Sequence, residues 1–133
     1  MQPVGRVTED EYLAQERVAT QKHELVNGHI VAMAGGSPRH NAICANLLRA
    51  IGTSSRGGPC TPLTSDQRVH VPATGLFTYP DVTVVCGEAK FHPKDAHVLL
   101  TPTLLIEVVS PTTEAHVQLS FDEIYQGTDR LPV

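Results

Sequence analysis

The sequence is poor in aromatic residues and has no long apolar run. It contains three Phe, three Tyr and no Trp among 133 residues. The core is therefore expected to consist of Val, Leu, Ile and Ala side chains. No apolar stretch approaches the roughly 20 residues that a membrane helix needs, and the polar, acidic residues 1–11 do not resemble a signal peptide. These absences predict a cytoplasmic protein with no membrane segment.

Basic residues are also in deficit. Lys and Arg total 10 against 14 Asp and Glu, which gives a net charge of -4. This balance argues against a broad electrostatic attraction to nucleic acid. A local basic rim stays open as a hypothesis, because Arg39, Arg49, Arg56 and Arg68 share a stretch with few acids. The alternative is that these four are ordinary surface arginines.

Cysteines are few and odd in number, and they lack metal-ligand spacing. The chain has Cys44, Cys60 and Cys86, with no CxxC pair. This pattern favours separate buried thiols in a reducing compartment, with Cys44 in the core face of a helix.

Capping and turn signals predict the first half of the fold. Thr8-Glu9-Asp10-Glu11 has the form of a capping box and predicts a helix to about Arg17. Asn27-Gly28 between two short apolar runs predicts a β-hairpin. Ser37-Pro38 can cap and begin a second helix, whose apolar spacing continues to Ile51.

The second half reads as strands joined by loops. Residues 66–71 alternate between polar and apolar, as a half-buried strand does. Residues 81–86 and 103–109 are more continuously apolar, while 52–62 and 72–80 read as loops. Pro111 opens a final helix, followed by a frayed tail at 127–133. The outline predicts a single α/β domain over residues 1–133, with a mixed β-sheet flanked by α-helices.

Two carboxylates stand out in this outline. Glu107 lies in the apolar run 103–109, where an anion is costly to bury unless it is paired or binds a cation. The alternatives are a salt bridge to an arginine or an exposed strand end. Asp81 opens the other apolar strand, although an Asp after Pro80 is also common in turns. If the two strands are neighbours, both acids can converge on one divalent cation.

Five blocks of sequence resemble, in order, a known bacterial family. They are Lys22-His23-Glu24-Leu25-Val26-Asn27-Gly28, Gly36-Ser37-Pro38-Arg39-His40-Asn41, Ser65-Asp66-Gln67-Arg68-Val69-His70-Val71-Pro72, Tyr79-Pro80-Asp81-Val82 and Glu107-Val108-Val109-Ser110-Pro111-Thr112-Thr113-Glu114. The family is the Uma-type restriction endonuclease group of the PD-(D/E)XK nuclease superfamily. The resemblance covers about residues 8–116.

The resemblance implies a metal-dependent DNA endonuclease with a restriction-endonuclease-like core. Asp81 and Glu107 would be the acids that bind Mg²⁺ or Mn²⁺, and Glu24 would be a further catalytic acid on the hairpin. His40 and Asp66 match family blocks without an assigned chemistry. DNA would be the partner, and a homodimer is compatible with cutting both strands.

Two departures from the family pattern favour an alternative. The superfamily places a Lys two residues after the Glu, but here that position is Val109, and no Lys follows Glu107. Such a Lys orients the attacking water or stabilises developing charge. The chain also lacks the strand and helix expected after residue 125, which suggests C-terminal truncation. The alternative is therefore a catalytically inactive remnant or a dimeric binding module.

A pair of histidines, His92 and His97, lies five residues apart in a segment that reads as a Pro-containing loop. This spacing is a weak metal signal. We expect both to be structural.

Overall fold

The structure is a computed structural model that describes residues 6–109. A short helix begins at the predicted capping box, and α1 spans Glu9–Arg17. The Thr8 hydroxyl accepts the Glu11 N–H at 3.1 Å, and the Glu11 carboxylate accepts the Thr8 N–H at 3.1 Å. Both bonds satisfy donors that a helix start leaves without partners. The capping-box prediction is confirmed.

The predicted hairpin follows. β1 spans His23–Val26 and β2 spans His29–Ala32, paired antiparallel. Asn27 and Gly28 have φ values of 51° and 81°, the left-handed conformation that this tight turn requires. A Cβ on Gly28 would lie 3.0 Å from the Arg6 side chain, so this position also favours glycine for reasons of space.

The second helix begins where its capping residues predict. α2 spans Pro38–Ser54, and the Ser37 hydroxyl accepts the His40 N–H at 3.1 Å. The helix ends three residues later than its apolar spacing suggests, because the Ile51 carbonyl accepts the N–H of Ser55 at 2.9 Å.

Seven further strands complete two sheets. They are β3 Cys60–Leu63, β4 Arg68–Val71, β5 Leu76–Thr78, β6 Val82–Cys86, β7 Phe91–His92, β8 Asp95–Leu99 and β9 Leu104–Ile106. The larger sheet has the order β2-β1-β5-β4-β8-β7, and the smaller has β3-β6-β9. The β4–β8 pairing is parallel and the others are antiparallel. The prediction of an α/β fold with a mixed sheet is confirmed.

Four strands were not predicted. β3 begins inside the expected loop 52–62, and β5 lies within the expected loop 72–80. β7 and β8 form a hairpin where no element was expected. β4 is also buried along its whole length, from Arg68 to Val71, so the half-buried prediction for this strand was wrong. Its polar residues, Arg68 and His70, are buried with the rest of the strand.

Two aromatic residues occupy the centre of the core, contrary to the expectation of an aliphatic core. Tyr12 and Phe77 are fully buried, with ring centroids 4.9 Å apart. Leu13, Leu25 and Val98 complete this cluster. Scarcity of aromatics in the composition therefore did not predict where they lie.

Two of the three cysteines are bonded to each other, so the prediction of separate thiols was wrong. Cys60 and Cys86 form a disulfide between β3 and β6, where they face each other in the strand register. Sequence spacing could not reveal this pairing, because the residues lie 26 apart and one of them was assigned to a loop.

Arg68 does not belong to a basic rim. Its side chain is buried on β4, with Nη2 3.6 Å from Asp95 Oδ2. Arg39, Arg49 and Arg56 are exposed. The predicted final helix and tail lie outside the described residues. Within residues 6–109, no helix is long and apolar enough to cross a membrane.

Candidate functional site

Asp81 and Glu107 lie side by side at the same end of two paired strands. Asp81 immediately precedes β6 and Glu107 immediately follows β9. Val82 pairs with Ile106, so the two acids occupy the next facing positions of the antiparallel pair. Burial and the charge of Asp81 raise the pKa of Glu107. The two strands are therefore neighbours, as the convergence of both acids on one cation requires.

The Asp81 carboxylate is held by two contacts to one oxygen. The backbone N–H of Val108 donates to Oδ2 at 2.7 Å. The His40 Nε2 atom lies 3.2 Å from the same oxygen. Because both contacts fall on Oδ2, they fix the orientation of the carboxylate between α2 and the end of β9.

The environment strongly disfavours ionisation of Glu107. Burial is the largest cause, and together with the nearby charges of Asp81 and Glu24 it raises the pKa of Glu107 to about 8. Strongly shifted pKa values are concentrated at functional sites, so a carboxyl group with this raised pKa is a candidate functional group. A divalent cation among the three acids would reverse the effect by favouring their anionic forms.

Glu24 reaches the same site from the hairpin. Leu25 pairs with Phe77, which brings β1 beside β5 and places Glu24 next to Thr78. The Thr78 hydroxyl donates to Glu24 Oε2. The charge of Glu24 contributes to the raised pKa of Glu107. Thr78 was missed by sequence reasoning because β5 itself was not predicted.

A histidine and a cysteine from α2 border the acids. His40 and Cys44 are four residues apart and therefore share one face of the helix, with Cys44 Sγ 3.9 Å from His40 Nδ1. Burial raises the pKa of the Cys44 thiol, and the charges of Asp81 and Glu107 raise it further. Cys44 is half-buried, so its assignment to the core was wrong. The i,i+4 spacing was the available signal for this pair.

Among residues 6–109, no ion pair joins a lysine to this cluster. Lys22 pairs with Asp66 at 2.5 Å, and Lys94 pairs with Asp10 at 2.9 Å. Asp66, which matches a family block, is thus an exposed ion-pair partner. Val109, in the position where the superfamily has a Lys, is 47% exposed.

The fold matches that of a solved nuclease-type structure. The crystal structure of a putative nuclease belonging to DUF820 from Anabaena variabilis superposes with a TM-score of 0.71. The match covers 92% of this chain and 70% of that one, at 19% sequence identity. At this identity the likeness shows that the two chains share a fold, and nothing further.

Sequence comparison then identifies the family. The model of the Uma2 family, described as "Putative restriction endonuclease", matches residues 9–128. This chain belongs to that family.

Two curated relatives are the uncharacterized proteins slr1290 and sll1609 of Synechocystis. They are 35% and 34% identical to the chain over 114 and 104 residues, which cover 86% and 78% of it. The chain spans 59% of the length of each of these relatives.

Proposed function

We propose that this protein is a metal-dependent endonuclease that hydrolyses phosphodiester bonds in DNA. The observation that carries the proposal is the pairing of Asp81 and Glu107 at one end of β6 and β9, with Glu24 on β1 contributing its charge to the same site. Three acids gathered in a half-buried site repel one another, and a bound divalent cation relieves that repulsion. Membership of a restriction endonuclease family supports the choice of a nucleic-acid substrate.

The donor atoms fit Mg²⁺ or Mn²⁺. Both ions prefer oxygen ligands, and Mg²⁺ is usually held by one or two carboxylates together with water and phosphate. Asp81 and Glu107 would hold the ion. The Val108 N–H and His40 both contact Oδ2 of Asp81, and these two contacts fix the direction in which the other oxygen, Oδ1, points. When bound, the ion would polarise the phosphate and make water more acidic.

The remaining residues have roles that follow from their contacts. Glu24 accepts a hydrogen bond from Thr78, which orients its side chain for a role as the general base that takes a proton from the attacking water. His40 is the histidine that contacts the acids, with its Nε2 atom 3.2 Å from Asp81 Oδ2. In the proposed enzyme, His40 would contact the phosphate in place of the Lys that the superfamily has after the Glu.

Nicking of supercoiled plasmid tests the proposal. We expect the wild-type chain to cut with Mg²⁺ or Mn²⁺, and both Asp81→Asn and Glu107→Gln to lose cutting. Chelator should abolish it in the wild type. Glu88→Gln changes an exposed carboxyl outside the cluster and should cut normally. Equal cutting by wild type and Asp81→Asn would rule out the assigned site.

A second candidate function is a nuclease fold without catalysis, acting as a DNA-binding or dimeric module. Val109 in the Lys position favours it. Calorimetric titration separates the two. Metal binding that is weakened by Asp81→Asn, with no nicking by the folded wild type, would favour the inactive fold. Equilibrium sedimentation would then test for the homodimer.

A further inference from the structure

A second group of potential metal ligands lies on other elements of the fold. Glu9 begins α1, His70 lies on β4 and His92 lies on β7. The Glu9 Oε1 atom is 3.8 Å from His70 Nε2 and 3.6 Å from His92 Nε2. One ligand atom from each residue lies within 4.8 Å of the others. This group shares no residue with the Glu24, Asp81 and Glu107 cluster.

His70 is oriented as metal-binding histidines usually are. The His70 Nδ1–H donates to the Leu76 carbonyl at 2.9 Å, which leaves the lone pair of Nε2 facing Glu9. The ring is stacked on Phe77 at a centroid distance of 4.0 Å. The packing therefore fixes both the position and the tautomer of this residue.

His92 is held near Glu9 by its own hairpin. Its side chain is 10% exposed, and its Nδ1 accepts the Lys94 N–H at 3.1 Å. Metal binding at Nε2 would require the proton to sit on Nδ1, at the expense of this exposed local bond. Lys94 also pairs with Asp10 at 2.9 Å, which keeps the start of α1 against the β7–β8 turn.

We propose that Glu9, His70 and His92 bind a single zinc ion that joins the start of α1 to the large sheet. Two imidazole nitrogens and one carboxylate form a donor set that suits zinc and is a poor match for magnesium. Tetrahedral zinc with bonds of about 2.0 Å needs ligand atoms about 3.3 Å apart. Glu9 Oε1, which lies 3.8 Å from His70 Nε2 and 3.6 Å from His92 Nε2, must therefore come a few tenths of an ångström closer to each on binding. The acids Asp10 and Glu11 in the same turn offset the positive end of the helix dipole.

Titration of the full chain with Zn²⁺ and with Co²⁺ tests this site. Calorimetry measures the zinc affinity, and the visible spectrum of Co²⁺ reports coordination by nitrogen ligands. We expect one zinc site whose affinity falls at least about a hundredfold in Glu9→Gln and in His92→Gln, a larger loss than removal of a ligand's own hydrogen-bond partner causes. Neither residue is in the core, so both variants are expected to fold, which circular dichroism checks.

Control variants distinguish this site from the acid cluster. His97→Gln removes an exposed histidine of the same hairpin and should bind zinc like the wild type. His40→Gln and Asp81→Asn alter the other group of possible ligands, His40, Cys44 and Asp81, and should retain the zinc site. Wild-type zinc affinity in His92→Gln, or its loss in His40→Gln alone, would overturn the proposal.

Discussion

Replacement of Glu107 by Gln should raise the stability of the metal-free protein at alkaline pH. Burial, with the charges of Asp81 and Glu24, raises the pKa of Glu107 from 4.5 to about 8. A difference of one unit between the pKa in the folded state and the pKa in the unfolded state corresponds to about 1.4 kcal/mol. The ionised group therefore costs the folded state roughly 2 to 5 kcal/mol, with the lower figure applying if the half-buried carboxyl keeps part of its solvation.

The sign follows from proton binding. The folded protein holds the Glu107 proton more tightly than the unfolded chain does. The stability associated with this proton is thus fully present below about pH 4.5 and is lost as the pH rises to about 8. A divalent cation should restore stability in the alkaline range, by about 2.7 kcal/mol at one hundred times its dissociation constant.

Urea denaturation in chelator, at intervals from pH 5 to pH 9, measures the effect. The free energy of unfolding of Glu107→Gln minus that of wild type should increase with pH by roughly 2 to 5 kcal/mol. The same difference for Glu88→Gln should stay nearly constant, because that carboxyl is exposed. A Glu107→Gln difference that does not change with pH would refute the argument that burial raises this pKa.

Two further predictions concern the core and the disulfide. Phe77→Ala should lower the free energy of unfolding, measured by urea denaturation, by about 3–5 kcal/mol because the ring is fully buried. Phe91→Ala, whose side chain is 45% exposed, should change it by about 0.5 kcal/mol or less. Similar losses in the two variants would contradict the assignment of the core. Reduction should lower the free energy of unfolding by roughly 3 kcal/mol, because the Cys60–Cys86 bond closes a loop with a separation of 26 residues. A Cys60→Ser, Cys86→Ser double variant should show no such response to reductant, and an equal response there would point elsewhere.

Local signals predicted the first half of the fold because they act over a few residues. The Thr8 capping box, the Asn27-Gly28 turn and the Ser37 cap each satisfy backbone groups or backbone angles within their own segment. Their physical effect is therefore present in the sequence itself. The start of each element was accordingly predicted more accurately than the end of α2.

The missed strands are short and owe their structure to distant partners. β3 contains Pro62 and becomes a strand through its pairing with β6, while β5 has only three residues between β1 and β4. β7 and β8 are fixed by the parallel pairing of β8 with β4. The β3–β6, β1–β5 and β4–β8 pairings join segments far apart in sequence, so no periodicity within a segment reports them.

The sequence by itself determined which residues carry unusual chemistry: a Glu in an apolar run, an Asp before a strand and an ordered set of family blocks. It also determined the capped helices and the hairpin, whose causes are local. Only the tertiary structure decided that Asp81 and Glu107 face each other across β6 and β9, that His40 contacts Asp81, and that His70 and His92 both face Glu9. The reason is physical: strand order and register bring together side chains from separate segments, and these depend on packing across the whole fold.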